Sequence, residues 1–322
     1  TYGSAFYKSA GIPGSGHEAA WIRIEPSGVV NASVGLMSSG QSYETPFAQV
    51  VAEALGIDPA QVRILTGNTD VAPYGMGSRG ARGGTAGGSV LWLCAQDALA
   101  KLLKIAAKLL GAKQDDALRI RAGKIERLDT DGWLDSGLAF AQVARTAYLD
   151  PLALPDGMPP GLEFVKSYDP PPMTYSNATH CCIVDVDVAT GHVKLERYVV
   201  AEDCGTVMNP AIVEGQQHGA VAMGIGGTLF EEVVYDAEGQ NLTATLADYL
   251  LPTACELPAF EVLSLNTPSR ATPIGLKGMA EGGVMGAIGA VSLAVQDALA
   301  PFGVVVDRLP LSPENVRRML RS

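Results

Sequence analysis

At 322 residues, the chain is long enough for two ordinary domains or one large bilobal one; 47% hydrophobic and 18% charged residues allow a sizeable core. A formal net charge of −11, with no run of Lys or Arg to offset it, excludes a nucleic-acid binder of the usual electrostatic kind. No basic-then-apolar leader and no apolar run of membrane-spanning length is apparent, so a cytoplasmic chain without a membrane span is expected.

Taken in order, residues 1–8 read as a strand that begins abruptly. Residues 19–25 and 29–36 alternate in polarity around Pro26-Ser27-Gly28, which predicts a β-hairpin. After Gly40-Gln41, the spacing of Phe47, Val50, Val51 and Leu55 predicts a helix over 43–55, closed by Gly56. Residues 61–65 form a further expected strand.

Residues 74–88 are the most unusual stretch, rich in glycine and carrying Arg79 and Arg82, and they lead into a helix expected over 89–110. Glycines, cations and hydroxyls ahead of a helix N-terminus suit an anion held by backbone N–H groups; the alternative is a solvated loop. The literal G-x-G-x-x-G from Gly75 to Gly80 is not a Rossmann fingerprint, because Pro73 separates it from its strand and its helix starts late. No P-loop pattern occurs.

A strand pair around Asp131-Gly132 and a helix over 136–147 follow, and Pro151 to Pro172 mark a lobe boundary. A second hairpin is expected over 179–188 and 193–201, then Gly215-Gln216 opening a Gly/Ala-rich helix. Residues 231–235 and 241–244 suggest another hairpin, and 248–252 an apolar strand. The hairpin with a Gly-Gln pair at a helix mouth occurs twice, a weak internal repeat. The expected fold is therefore α+β: two similar lobes of mixed or antiparallel sheet packed with helices, 1–165 with the glycine-rich loop and 166–322 with the Glu281 turn. A ligand between lobes is the default expectation.

The turn 275–283 sets Glu281 among glycines just ahead of a helix expected over 284–299. A carboxylate fixed there is placed to act as a general base. The plainer alternative is a Glu that compensates the helix dipole. Cys94, Cys181, Cys182, Cys204 and Cys255 form no C-x-x-C pair, the four histidines are scattered, and no metal ligands are assigned.

These motifs together resemble the C-terminal half of the molybdopterin-binding large subunit of the xanthine dehydrogenase/aldehyde oxidase family, most of all its carbon monoxide dehydrogenase-like branch. The resemblance runs in order through Gly40-Gln41 with Glu44-Thr45, Gly67-Asn68-Thr69-Asp70 with Pro73-Tyr74-Gly75, Tyr168-Asp169-Pro170-Pro171 with Met173-Thr174-Tyr175, Asp203-Cys204-Gly205 with Asn209-Pro210 and Glu214-Gly215-Gln216, and 275–281. It implies a molybdopterin cofactor with molybdenum, of the cytosine dinucleotide form by likeness to bacterial members. Gly40, Gln41 and Gln216 would contact it from two sides; Gly77, Ser78, Arg79, Gly80, Ala81 and Arg82 would bind its pyrophosphate and pterin edge through backbone amides; Lys277 and Gly278 would also touch it. Glu281 would be the base in the oxidative hydroxylation of a small substrate (an aldehyde, an N-heterocycle or one of carbon monoxide type) with water as the oxygen source.

The chain departs from the family pattern at Gly83, Gly84, Ala280, Met223 and Ser42. The family's first large-subunit half, its iron–sulfur clusters and its FAD are expected on partner chains or domains: an N-terminal half of the large subunit, an iron–sulfur subunit and an FAD subunit. The isolated chain is accordingly expected to show no dye-reducing turnover. Two alternatives compete: a non-catalytic structural or assembly subunit that has lost the metal, and a nucleotide-binding module that takes ATP or NAD without molybdenum.

Overall fold

In the computed structural model, which describes residues 2–6, 16–113 and 116–321, the apolar periodicity resolves into an α+β arrangement of two units. One unit comprises residues 6–174 and 268–277, and the other residues 1–5, 175–267 and 278–322. The expected opening strand is present as β1 (Tyr2–Phe6), while Thr1, Tyr7 and Lys8 lie outside the described residues.

In the first unit, β2 (Glu18–Ile24) and β3 (Val30–Val34) form the expected hairpin, with Ala20 opposite Val34 and Ile24 opposite Val30. Helix α1 (Glu44–Leu55) buries Phe47, Val51 and Leu55 and ends at a left-handed Gly56. Strand β4 (Val62–Leu65) then returns parallel to β3. Helix α2 (Ser89–Leu109) lays Leu91, Cys94, Ala98, Leu102 and Ile105 against this core. Each fully buried Leu, Ile or Phe contributes about 1.5–3 kcal/mol. A meander of β5 (Leu118–Arg121), β6 (Lys124–Asp129) and β7 (Gly132–Ala139) precedes α3 (Phe140–Leu149), and β8 (Glu163–Tyr168) completes the sheet order β4-β3-β2-β8.

The second unit repeats that order of elements. Strands β9 (Met173–Asp187) and β10 (His192–Asp203) form an antiparallel hairpin, α4 (Pro210–Leu229) follows, and β11 (Phe260–Leu265) returns parallel to β10. Helix α5 (Gly282–Leu299) then buries Ala287, Val291, Val295 and Leu299 in a core shared with Tyr198, Val200, Val221 and Ile225. Helix α6 (Pro313–Met319) ends the chain, and the sheet order is β1-β9-β10-β11.

Five expectations are corrected. Helix α3 begins at Phe140, not Ser136, because Ser136 Oγ donates to the Ile125 carbonyl and holds its segment in β7. Helix α4 begins at Pro210, where Asn209 Oδ1 accepts the Ile212 N–H, so Gly215-Gln216 lies inside the helix rather than at its mouth. Residues 231–244 form only the single bridge Tyr235–Asn241, and 248–252 are turn rather than strand, with the Asp248 and Tyr249 N–H groups both returning to Thr245. Finally, residues 282–302 are, by length and composition, apolar enough to cross a bilayer, which a glycine- and alanine-rich sequence conceals; their buried side belongs to the core just described.

Candidate functional site

The glycine-rich loop of the first unit is built around Arg82, which is fully buried. Its Nη1 donates to Glu18 Oε2 at 2.6 Å and to the Gly77 carbonyl at 2.9 Å; its Nη2 donates to the carbonyls of Gly16 at 2.8 Å and His17 at 3.3 Å. Burial pushes the Glu18 carboxyl above the usual carboxylate range, and the Arg82 guanidinium opposes that shift. The carboxyl lies against the Cα atoms of Gly35 and Gly75, where any side chain would collide with it. Of the two loop arginines, then, Arg82 folds the loop and Arg79 is exposed on it.

Held this way, the loop passes Gly77, Ser78, Gly80 and Ala81, with left-handed φ values of 74° at Gly77, 52° at Gly80 and 55° at Ala81. It runs straight into a π-helical turn, Gly83–Gly88, so the helix begins six residues before α2 proper. Ser78 Oγ and Tyr43 Oη are hydrogen-bonded at 2.6 Å, and Tyr43 stacks on Phe47 of α1. A Cβ at Gly83 would strike the Tyr43 ring. Gly83→Ala is therefore expected to cost about 1–3 kcal/mol of stability and to break the Tyr43–Ser78 contact, read as a lower thermal midpoint.

A cleft of about 350 Å³ opens between residues 34–37, 67–72 and the Gly77-Ser78 corner. A Cβ at Gly77 would meet nothing within 4 Å, so the backbone there is open to an incoming group. Gly40 is equally open, and Ser39, two residues before Gln41, lines the cleft. Gln41 turns its carbonyl back to the Ser39 N–H, which leaves its NH₂ as donor. Lys277 also belongs to this unit, half-buried at the end of a turn in which Thr272 Oγ1 donates to the Leu276 carbonyl at 2.9 Å.

In the second unit, Glu281 is the N-cap of α5 and exposed; its side chain makes no capping hydrogen bond. The preceding peptide is fixed by Gln216, whose Nε2 donates to the Ala280 carbonyl at 3.3 Å. Gly278 is buried in the same turn. The structure thus brings Gln216, Gly278 and Glu281 together in one unit. It gathers Gly40, Gln41, the loop Gly77, Ser78, Arg79, Gly80, Ala81 and Arg82, and Lys277 in the other.

Sequence reasoning missed Glu18, Tyr43 and Glu202. Glu18 had no local signal, since its partner lies 64 residues away. Glu202 had one: it follows Tyr198 and Val200 on the inward-facing side of β10.

The model of a family described as the molybdopterin cofactor-binding domain matches residues 1–258. The nicotine 6-hydroxylase large subunit of Paenarthrobacter nicotinovorans is 39% identical over 94% of this chain and 36% of its own length. The carbon monoxide dehydrogenase large chain of Hydrogenophaga pseudoflava is 38% identical over 93% of this chain and 36% of its own. Among solved structures, a Cu,Mo-CO dehydrogenase superimposes with a TM-score of 0.89 at 34% identity, covering 99% of this chain and 40% of that one. Quinoline 2-oxidoreductase from Pseudomonas putida 86 superimposes with a TM-score of 0.88 at 37% identity, covering 96% and 38%. The chain therefore spans well under half the length of these relatives.

Proposed function

The chain belongs to the molybdopterin cofactor-binding domain family, and from that premise we propose that it forms the cofactor-holding part of a molybdenum hydroxylase or dehydrogenase with Glu281 as general base. The observation that carries this reading is the open Gly77-Ser78 corner over a cleft of about 350 Å³, held in shape by a fully buried Arg82. Backbone N–H groups, a hydroxyl and an exposed guanidinium suit a phosphate-bearing, hydrogen-bonding group such as molybdopterin, so the donor set fits the cofactor.

When bound, the molybdenum cofactor supplies a two-electron oxidation that takes its oxygen from water. The chain's own residues do the rest. Gly77, Ser78, Arg79, Gly80 and Ala81 bind the phosphate and pterin edge, and Arg82 fixes their backbone. Gly40 brings Gln41 to the cofactor with its NH₂ as donor; Gln216, Lys277 and Gly278 contact it from their own turns. Glu281 accepts a proton at its carboxylate as the oxygen is transferred, and Gln216, through the Ala280 carbonyl, keeps that carboxylate in place.

The substrate class is small: an aldehyde, an N-heterocycle or a molecule of carbon monoxide type. The cofactor is read as the cytosine dinucleotide form, with iron–sulfur clusters and FAD on partner subunits and the remainder of the large subunit completing the pocket. Two relatives named as a large subunit and as a subunit of a dehydrogenase complex support a multi-subunit setting.

The test is elemental molybdenum and acid-released cytidine monophosphate, measured on the purified complex with wild-type chain and with Gly77→Val. A Cβ-branched residue at a φ of 74° is strained and points into the open corner. Molybdenum and cytidine monophosphate in equal amounts are expected in wild type, and about a tenfold loss of both in the variant. No molybdenum in the wild-type complex would return the chain to the structural-subunit reading. A variant that retains its full complement would remove the loop from the cofactor site.

A further inference from the structure

Behind the Glu281 turn lies a buried acid with no assigned role. Glu202, near the end of β10, is 1% exposed, and neither carboxyl oxygen has a hydrogen bond of good geometry. The buried Oε1 of Gln217 on α4 is likewise unpartnered, although Gln217 is the one polar side chain close enough to act on the carboxyl. A buried carboxylate without a well-placed donor is costly in a dry interior, and a proton on the acid removes the charge that makes it so.

The same carboxyl is wedged under the start of α5. A Cβ at Gly282 would stand 2.5 Å from Glu202 Oε1, and Gly282 is the residue directly after Glu281. On its other side this helix start is clamped by α4, since a Cβ at Gly283 would stand 2.6 Å from the Ala220 Cβ. The backbone that aims Glu281 is therefore set by α4, by β10 and by the Glu202 carboxyl.

We propose that Glu202 is a positioning residue for Glu281, a neutral acid wedged beneath Gly282 that fixes the backbone there. The inference rests on the reading of Glu281 as the base. Strands β9 and β11 pair Ala178 and Ser264 with Glu202, α4 brings Gln217, and the start of α5 brings Gly282. The neighbouring Asp203 is separately occupied, with its Oδ1 accepting the N–H groups of Gly205 and Thr267. Among these, no charged group contributes to the proton affinity of Glu202; burial dominates and raises it to about 7, against the pull of the Gln217 side chain toward the charged form. The dipole of α5 pulls the other way but is confined to the helix's first turn, whereas burial surrounds the whole carboxyl.

The sign of the pH effect follows. Between the ordinary value of 4.5 and about 7, the folded chain holds a proton that the unfolded chain has lost. Stability from this group is fully present below about pH 4.5 and is lost as pH rises to about 7.

The experiment uses the intact complex with wild-type chain, Glu202→Gln, Glu202→Ala and Glu281→Gln. A protonated-carboxyl stretch that titrates near neutrality in pH-difference infrared spectra is expected in wild type and absent in Glu202→Gln, and the thermal midpoint of Glu202→Gln should lose its decline between those pH values. Glu202→Ala should lower kcat about tenfold with KM unchanged. Glu202→Gln, which fills the same space and carries no charge at any pH, should recover most of that loss and keep it to higher pH. No titrating band assignable to Glu202, or equal kcat in Glu202→Ala and wild type, would overturn the inference. If instead Glu281→Gln keeps full turnover while the band behaves as expected, the reading of Glu281 as base has failed and the protonation of Glu202 stands.

Discussion

Glu281→Gln in the intact complex is expected to lower turnover by about 10²–10⁴-fold, the usual worth of a positioned general base. Molybdenum content and thermal midpoint should barely change. The side chain is exposed at the N-cap of α5 and makes no capping hydrogen bond, so an isosteric amide breaks nothing that folds the turn. The neighbouring Ala280 carbonyl still receives Gln216, and the core below, from Ala287 to Leu299, is untouched. The one expected stability term is loss of a negative charge from the helix N-terminus, at most about 0.3–1 kcal/mol. A single-turnover measurement with metal analysis on the same sample separates the roles. A turnover loss that tracked molybdenum loss would make Glu281 a cofactor contact, and turnover near wild type would remove it from the chemistry.

Arg82→Ala should do the reverse, harming the fold first. It leaves Glu18 buried without its partner and strips donors from the carbonyls of Gly16, His17 and Gly77. Breaking one side of a buried ion pair costs about 3–5 kcal/mol. The expected result is a large fall in the denaturation midpoint, with cofactor content lost as a consequence. Arg82→Lys should rescue little, because one ammonium cannot span the fork that Nη1 and Nη2 occupy. The double variant Glu18→Ala with Arg82→Ala should cost clearly less than the two single changes summed, since no charge is then left unpaired. Strict additivity in that cycle would show that the two side chains do not act as a pair.

Much of the fold was legible because strand and helix periods are local. The alternation of Ala20, Ile22 and Ile24 against Val30, Ala32 and Val34 marks a hairpin, and Phe47, Val51 and Leu55 mark one face of a helix. The Gly-Gln pairs were misleading in one case because capping decides where a helix starts. Asn209 and Pro210 are the stronger signal, and they put Gln216 on the second turn of α4. Residues 248–252 looked like a strand by composition but have no neighbouring strand to pair with, and composition carries no information about partners. At the site, the glycines announced a loop that something approaches closely. They did not announce that Arg82 faces inward, because the acid that turns it lies on β2. Glu202 was readable from its alternation with Tyr198 and Val200; its relation to Gly282 was not, because it spans 80 positions of chain and no local pattern records it.

The long reach of Arg82 also ties the loop's shape to a distant part of the chain. The loop from Gly77 to Arg82 takes its final shape only when residues 16–18 are in place to receive the guanidinium, 64 positions from it in the case of Glu18. The loop's shape is therefore a property of the whole first unit and not of the residues that compose it, so a change on β2 can deform it as surely as a change within it.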